Sequence, residues 1–283
     1  MGHQREKLIS LAKRLLNHNL NGSTDQADQI MIKKVNDYID DDIISSEVSK
    51  IFYDHPVPIA LSAELKKKNS YKATKAIDTP LLITRGEDGV VRTFINICKH
   101  RGAPVCPEGR GEKSKFNCTY HGWMYDNKGS LINIFKSDTF GDIDTKNIKL
   151  TELFCEEKSG FIWACLNPDV KYNLSDWMNE FETELDDIGL KNWYIFKSTT
   201  LNGPRWKICW DGYLDGYHHH MVHPETVGKN TIVNLIAHDT YGPHQRFAFG
   251  LKNINELAKI DEKDWEPENH LRLIHSVFPN SSI

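Results

Sequence analysis

Cysteine and histidine form two close pairs between residues 98 and 121, in the segments CKHRGAPVC and CTYHGW. Cys98 and His100 are separated by one residue, and Cys118 and His121 are separated by two. Such short spacings bring both side chains of a pair near one point, so the two pairs can surround one metal centre. Glycines and prolines flank both pairs and allow sharp backbone turns around the donors. The sequence therefore predicts a metal centre held by these four side chains.

Two kinds of metal centre fit a set of two cysteines and two histidines. Zinc binds such a set, and zinc fingers usually take two cysteines from one segment and two histidines from another. Here each segment supplies one cysteine and one histidine. This arrangement favours a [2Fe–2S] cluster of the Rieske type, in which the cysteines bind one iron and the histidines bind the other. Zinc is the alternative.

A second group of histidines lies in DGYLDGYHHHMVHPE, residues 211–225. A mononuclear iron that activates O₂ typically uses two histidines and one carboxylate on one face. On a continuous helix, His219 and His223 would share a face. Pro224 disfavours the α conformation at His223, however, so the helix is expected to end before it. Helical spacing alone therefore does not decide which histidines would bind a metal.

The segments CKHRGAPVC and CTYHGWMYDNKG resemble the Rieske motif of the ring-hydroxylating (Rieske non-haem iron) oxygenase α subunits. The resemblance implies that Cys98, His100, Cys118 and His121 hold a [2Fe–2S] Rieske cluster. Respiratory Rieske proteins differ, because they carry an extra cysteine pair that forms a disulfide across the two loops. Cys106 has no matching cysteine in the second loop, and we expect it to be a small buried residue.

The same resemblance extends to the histidine-rich stretch, where Asp-Gly-Tyr-His is similar to the family's iron-binding helix. It implies that His218 and His223 bind a mononuclear non-haem Fe(II). It also implies that Asp215 is the acidic residue that connects the two metal centres of neighbouring subunits. A carboxylate three residues before His218 lies about one helical turn back, which suits a role in orienting that imidazole. His219 and His220 are expected to lie on the helix surface or to line a pocket.

In this family the third iron ligand is a carboxylate far downstream of the two histidines. The chain ends at Ile283, and we expect the matching position to lie beyond it, which predicts a C-terminally truncated sequence. The alternative is a short relative with an altered iron site. Asp239, Asp261 and Asp264 fit no motif, so none of them is assigned as the third ligand.

Composition limits the classes of protein to be considered. The chain has 283 residues, of which 39% are hydrophobic and 26% are charged, as in soluble globular proteins. A net charge of -4 leaves no basic excess for a phosphate backbone, so no nucleic-acid partner is expected. No apolar run reaches membrane-spanning length, and the N-terminus lacks the features of a signal peptide. With six cysteines in such a chain, reduced thiols and a cytoplasmic location are predicted.

The elements that must position these residues change along the chain. Residues 1–50 are predicted to form two helices, one amphipathic and one over QADQIMIKKVNDYIDD, on either side of NGSTDQ. Residues 51–168 have the short β-branched runs of an all-β region, with a hairpin at PLLITRGEDGVVRTFINIC and a buried strand at SGFIWACL. Residues 169–283 are mixed, with a strand at WYIFKSTTL, a helix from GPRW through the histidines, and a strand at RLIHSV.

The resemblance implies an α+β fold with two main domains. Residues 51–168 would form an all-β Rieske [2Fe–2S] domain. Residues 169–283 would form an incomplete α+β catalytic domain of the helix-grip type, with an antiparallel sheet and the mononuclear iron. The helices of residues 1–50 would pack on the catalytic domain.

The implied function is that of the terminal oxygenase component of a Rieske non-haem iron system. Electrons from NAD(P)H would reach the cluster through a flavin or iron–sulfur reductase, with or without a ferredoxin. They would then cross to the mononuclear iron of a neighbouring subunit in a homotrimer or hetero-oligomer, where O₂ is used to mono- or dioxygenate a small organic or aromatic substrate. The alternatives are a Rieske-type electron-transfer protein and a zinc-stabilised binding module.

Overall fold

The computed structural model of the protein describes residues 2–283, with side chains from residue 4 onward. The chain forms two compact units. One unit, named here the β unit, comprises Ser45–Asp176 and Ile188–Thr199. The other, named the histidine-rich unit, comprises the stretch up to Ile44 together with Trp177–Asp187 and Thr200–Ile283. The histidine-rich unit is therefore assembled from three separate stretches of the sequence.

Helices and strands alternate irregularly along the chain. The α-helices are α1 (Gly2–Asn21), α2 (Asn36–Ile39), α3 (Asp41–Glu47), α4 (Leu174–Met178), α5 (Phe181–Ile188), α6 (Trp206–Leu214), α7 (His219–Val222) and α8 (Val227–Asn230). The strands are β1 (Val57–Leu61), β2 (Ser70–Ala76), β3 (Thr79–Arg85), β4 (Val91–Ile95), β5 (Gly109–Glu112), β6 (Lys115–Asn117), β7 (Met124–Asp126), β8 (Leu131–Asn133), β9 (Glu152–Leu153), β10 (Cys155–Lys158), β11 (Phe161–Ala164), β12 (Thr231–Tyr241), β13 (His244–Leu251), β14 (Leu271–Val277) and β15 (Ser281–Ser282). Within the described part of the chain, no helix combines the length and the apolar character needed to cross a membrane.

The β unit contains three antiparallel sheets. Their strand orders are β5-β2-β3-β4-β9, β1-β11-β10 and β6-β7-β8. Strands β3 and β4 pair from Leu81 opposite Ile95 to Arg85 opposite Val91, which confirms the predicted hairpin. Strand β11 is buried along its whole length, as its apolar sequence FIWA predicted. Local sequence thus specifies these strands well, because each has an apolar run bounded by turn residues.

Strand β3 is buried on both faces and separates two parts of the core. Leu82 faces the cluster of buried residues that contains Phe94, Phe116 and Tyr125. Ile83 faces a second cluster. Because both faces are covered, the apolar residues of this strand form a continuous run instead of alternating with polar ones. The first core cluster also contains Cys98 and Cys118, so the loops that carry them are anchored in the hydrophobic core.

The histidine-rich unit is built on a four-stranded antiparallel sheet with the order β12-β13-β14-β15. Helix α1 packs on this sheet through Leu11 and Leu15, which are 3% and 0% exposed and contact Leu235, Ala237 and Ala248. The amphipathic first helix is therefore confirmed. Each fully buried leucine contributes about 1.5–3 kcal/mol relative to an exposed one. The strand predicted at RLIHSV is also confirmed, as β14.

A buried ion-pair network joins the helices to this sheet. The Glu184 carboxylate on α5 accepts hydrogen bonds from Arg246 on β13 and contacts Lys7 of α1 at 2.9 Å. Arg246 also donates to Asp239 at 2.8 Å. The side chains of Glu184 and Arg246 are only 7% and 10% exposed. Burial by itself raises the pKa of Glu184, but hydrogen bonds from His275 and Lys7 and the charge of Arg246 outweigh it and hold that pKa well below its usual range.

We expect Glu184→Gln to lower the free energy of unfolding of the histidine-rich unit by about 3–5 kcal/mol at pH 7, because it leaves the Arg246 guanidinium buried without its counter-charge. A carboxyl with a depressed pKa stabilises the fold above its unfolded pKa of about 4.3, and this contribution is lost as the pH falls toward the folded pKa. The difference in the free energy of unfolding between wild type and variant should therefore be largest at pH 7 and should decrease below about pH 4.3. Urea unfolding across this range measures it.

Glu180→Gln is the matched control, since Glu180 is exposed just before the same helix. It should change the free energy of unfolding by no more than about 0.5 kcal/mol. Equal effects of the two substitutions, or a difference that grows in acid, would contradict the assignment of the network as a main source of stability.

The second predicted N-terminal helix is largely wrong. Helix within QADQIMIKKVNDYIDD is limited to α2 and the first residue of α3. The preceding residues Ile30, Met31 and Ile32 are 92%, 75% and 89% exposed. Short helices in water depend on burying an apolar face against a partner, and no such face is buried here in the described structure.

The strand predicted at WYIFKSTTL is also wrong, because residues 193–201 contain no strand in the structure. Tyr194 and Phe196 are 77% and 88% exposed. Aromatic and β-branched residues favour strands only where a neighbouring strand and a packed face accept them. The amino-acid composition of this segment therefore predicts a strand that its surroundings do not support.

Candidate metal centres

The two loops that carry the cysteine–histidine pairs are built alike. The first follows β4, and the second connects β6 to β7. In each loop the glycine four residues after the cysteine donates its N–H to the cysteine carbonyl at 3.0 Å, from Gly102 to Cys98 and from Gly122 to Cys118. Both glycines have a positive φ, 77° and 71°, which explains why glycine is needed there. The cysteine N–H groups bond to the carbonyls of Ala103 and Trp123, at 2.8 and 2.9 Å.

These loops place sulfur inside the protein and imidazole toward its surface. Cys98 and Cys118 are 2% and 3% exposed, whereas His100 is half-buried and His121 is exposed. The two imidazole rings lie 4.6 Å apart. Burial raises the pKa of the Cys98 thiol and the neighbouring Cys118 thiol raises it further, against the hydrogen bonds from Tyr125 and the His100 backbone that lower it. The four donors thus form a sulfur pair and an imidazole pair at different depths.

The donor set fits a [2Fe–2S] cluster. Nδ1 of His100 is buried and has no hydrogen-bond partner in the described structure, as expected of a nitrogen placed to bind a metal. Among the described residues, no group of three or more cysteine, histidine or acidic side chains is arranged so that it could hold a metal ion.

Two aromatic residues that the sequence analysis left without a role support this centre. Trp123 stacks on the His100 ring at 4.8 Å with the planes 5° apart, which fixes the orientation of the imidazole. The Tyr125 hydroxyl accepts the Lys99 N–H at 3.0 Å and lies 3.4 Å from Sγ of Cys98. Its own proton is therefore available to a ligand sulfur, and hydrogen bonds to sulfur are among the features that set the potential of such clusters. Both aromatic residues lie within a few residues of His121 in the sequence. Their closeness to the metal centre could have been inferred from that position.

The histidine-rich stretch is not one continuous helix, which corrects the prediction. Helix α6 ends at Leu214, and Asp215 has an extended backbone with φ −102° and ψ 113°. The chain then turns into α7, a single helical turn with His218 at its N-cap and His223 at its C-cap. The two rings therefore meet across this turn, with centroids 5.4 Å apart. Helix α7 ends before His223, as expected from the restriction that Pro224 places on the backbone of the preceding residue.

Asp215 contacts His218 although no helical turn connects them. Its Oδ2 lies 3.2 Å from Nδ1 of His218, and its Oδ1 accepts the Tyr217 N–H at 2.7 Å. When Nδ1 of a histidine donates to a carboxylate, Nε2 is left unprotonated and able to bind a metal. The local fold thus leaves Nε2 of His218 able to act as a metal ligand.

The neighbouring histidines contact the sheet, although the His219 ring also lies 4.9 Å from that of His218. His219 is 7% exposed and packs on Phe249 of β13, with ring centroids 5.2 Å apart. Burial, followed by the charges of His218 and His223, lowers the pKa of His219. Nε2 of His220 lies 3.1 Å from the carbonyl of Thr231. Both side chains thus contact residues of the sheet.

Two glycines fix α7 in place by close packing. A Cβ at Gly216 would lie 2.2 Å from the Phe249 ring, and a Cβ at Gly228 would lie 2.5 Å from the His219 carbonyl oxygen. Neither position has room for a side chain. The turn that carries His218 and His223 is therefore held against both β13 and α8 through backbone contact.

Two of the acidic residues considered as a third ligand are engaged in other contacts. Asp239 is paired with Arg14 and Arg246, at 2.9 and 2.8 Å. Asp261 contacts Lys263 at 3.2 Å. Cys106 is buried, as predicted, and its carbonyl accepts a hydrogen bond from Asn96 at 2.7 Å. All six cysteines are free thiols.

Two protein-family models match separate parts of the chain. Residues 55–145 match the Rieske [2Fe-2S] domain, and residues 190–283 match the catalytic domain of the ring-hydroxylating α subunit. Among characterised proteins, the chain is 33% identical over 174 residues to the anthranilate 1,2-dioxygenase large subunit of Burkholderia cepacia, covering 58% of this chain and 41% of that protein. It is 28% identical over 243 residues to the carnitine monooxygenase oxygenase subunit of Acinetobacter pittii, covering 82% and 63%.

Solved structures share the fold. The quaternary ammonium Rieske monooxygenase CntA superposes with a TM-score of 0.75 at 23% identity, over 87% of this chain and 65% of that one. Naphthalene 1,2-dioxygenase from Rhodococcus sp. gives a TM-score of 0.73 at 23% identity, over 100% and 69%. The predicted α+β class, with antiparallel sheets, is confirmed. The chain spans 41% of the length of the anthranilate 1,2-dioxygenase large subunit and 63% of that of the carnitine monooxygenase oxygenase subunit. The chain therefore combines a Rieske [2Fe-2S] domain with the catalytic domain of a ring-hydroxylating α subunit.

Proposed function

We propose that this chain acts in the terminal oxygenase component of a Rieske non-haem iron system, which uses O₂ and electrons from NAD(P)H to mono- or dioxygenate a small organic substrate. The observation that carries the proposal is the presence of two separate donor sets in one chain. One consists of paired cysteines and paired histidines on two matched loops, and the other of two histidines that meet across α7. An electron carrier needs only the first set.

In this proposal, Cys98, His100, Cys118 and His121 hold the [2Fe–2S] cluster, and His218 and His223 hold a mononuclear Fe(II). When bound, the cluster supplies single electrons and the mononuclear iron activates O₂. The protein contributes orientation at both places. Trp123 and Tyr125 fix the imidazole and sulfur donors of the cluster, and Asp215 fixes the tautomer of His218. Contacts of this kind, between a ligand side chain and its neighbours, set the basicity and the orientation of the ligand.

The proposal includes the domain division predicted from the sequence. The Rieske domain spans residues 51–168 and the catalytic domain spans residues 169–283, with the helices of residues 1–50 packing on the latter. The contacts of α1 with the sheet of β12 and β13 support the last part.

We further propose that Asp215 connects the mononuclear iron to the cluster of a neighbouring subunit in a homotrimer or hetero-oligomer. The hydrogen bond from His218 to a half-exposed carboxylate supports this role, because the carboxylate is accessible to a second hydrogen-bonding group. For the relative CntA, a study of its structure describes inter-subunit electron transfer. Electrons would enter from a flavin or iron–sulfur reductase, with or without a ferredoxin. Because the relatives include both dioxygenases and monooxygenases, the proposal covers both reactions.

The test is iron and acid-labile sulfide per chain, combined with EPR of the dithionite-reduced protein. We expect about two irons and two sulfides with a Rieske-type signal, and about one further iron. His218→Ala should lose the further iron and keep the cluster. His220→Ala is the matched control and should keep both, since its ring bonds to the Thr231 carbonyl. Cluster iron with no further iron would leave an electron-transfer protein, and zinc without sulfide would overturn the proposal.

A further inference from the structure

A cavity of about 480 Å³ lies in the histidine-rich unit, beside the proposed iron ligands. This volume is in the range of pockets that bind small organic molecules. The cavity is bounded by α7, α8 and one face of strands β13 and β14, and it is lined by His219, Glu225, Thr226, Val227, Asn230, Thr231, Phe249, Leu251, Arg272 and Ile274. The His219 ring lies 4.9 Å from that of His218, so the cavity adjoins the proposed iron site.

The walls of the cavity are mostly apolar but contain one basic and one acidic side chain. Arg272 stands on β14 directly opposite Phe249 of β13. Nη1 of Arg272 donates to the carbonyls of Glu268 and Leu271 at 3.1 and 2.9 Å, which fixes the guanidinium in place. No acidic side chain pairs with it in the described structure, so its other N–H groups can bind a carboxylate.

Glu225 supplies the opposite charge at another part of the same cavity. It forms no ion pair with Arg272 or with any other basic side chain in the part of the chain that the structure describes. Phe249 also lines the cavity, and aromatic side chains attract organic cations. The cavity therefore has a positive pole, a negative pole and an apolar wall, and the poles do not neutralise each other by direct contact.

We propose that this cavity binds a small organic zwitterion, with its carboxylate on Arg272 and its cationic nitrogen near Glu225. The inference rests on the proposed oxygenase function, since it names the class of substrate presented to the iron site. A neutral hydrocarbon would gain nothing from either exposed charge, whereas a zwitterion can pair with both. Arg272 and Glu225 are thus specificity-determining residues.

Binding is measured by isothermal titration calorimetry at low ionic strength, without turnover. Four ligands of nearly the same shape separate the charges: glycine betaine carries both, tert-butylacetate carries only the carboxylate, choline carries only the cation, and tert-butylacetamide carries neither. We expect glycine betaine to bind most tightly. Arg272→Gln should weaken glycine betaine and tert-butylacetate about tenfold and leave choline unchanged, while Glu225→Gln should weaken glycine betaine and choline by a similar factor and leave tert-butylacetate unchanged.

Arg272→Lys should restore much of the carboxylate binding, and Arg110→Gln, an exposed arginine of the β unit, is the matched control and should change nothing. Equal affinity for all four ligands, or equal loss of all four in each variant, would overturn the proposal. The same titrations on His218→Ala separate the two hypotheses. Suppose that the wild type holds no mononuclear iron, and that His218→Ala still binds the ligands according to their charges. The oxygenase function would then be refuted, and the zwitterion site would stand.

Discussion

Cys118→Ser is expected to abolish both the visible absorption and the acid-labile sulfide of the protein, whereas Cys106→Ser should keep both. The two cysteines are equally buried, at 3% and 2% exposure, and they belong to the same core cluster. Only Cys118 lies on one of the two matched loops beside the Cys98 thiol. A serine hydroxyl replaces a soft thiolate poorly as an iron ligand, so the cluster should not assemble.

The comparison is made by absorption spectra and sulfide analysis of the two variants, with far-ultraviolet circular dichroism to show that each one is folded. Retention of sulfide in Cys118→Ser would contradict the assignment of the ligands. Loss of sulfide in both variants with the fold intact would show that the cluster responds to core packing in general and not to this ligand.

Asp215→Asn should weaken the affinity for mononuclear iron about 10–100-fold. The carboxylate accepts from Nδ1 of His218 at 3.2 Å and is itself held by the Tyr217 N–H at 2.7 Å. An asparagine side chain keeps the shape but lacks the negative charge that makes the imidazole a better donor. Iron retained after dialysis against a graded series of chelator concentrations measures the change.

Asp211→Asn is the control for this substitution, because Asp211 lies one turn earlier on α6 and bonds to the Tyr38 hydroxyl at 2.7 Å. It should retain iron as the wild type does. If the two variants lost iron equally, the effect would have to come from the overall charge of α6 instead of the contact with His218. In that case Asp215 would have no special role.

The cluster loops could be predicted from the sequence because local residues determine them. Gly102 and Gly122 adopt positive φ and close the turns, and β4, which precedes the first loop, has apolar residues typical of a buried strand. The contacts that support the donors were harder to foresee. Tyr125 reaches Cys98 across 27 residues of sequence, and Trp123 stacks on His100 from the other loop. Contacts between side chains of the two loops depend on tertiary packing, which the periodicity of hydrophobic residues in the sequence does not reveal.

The histidine-rich stretch shows where helical spacing fails. Its residues have the composition of one helix, yet the chain leaves the helix at Asp215 and resumes at His219. A Cβ at Gly216 would overlap Phe249, a residue of a strand that follows much later in the sequence. The break therefore accommodates a close approach to β13. Asp215 and His218 still meet, but through a turn instead of along a helix face.

The packing of α1 on β12 and β13 has a consequence for the order of events during biosynthesis. The helix leaves the ribosome before the strands that cover Leu11 and Leu15, because α1 precedes β12 and β13 in the chain with the whole β unit between them. At about 5–20 residues per second, the apolar face of α1 waits on the order of ten seconds or more for its partner. Most of the β unit, residues 45–176, is complete within that interval. Translation thus delivers the cysteine-bearing loops before the fold that surrounds His218 and His223 can close.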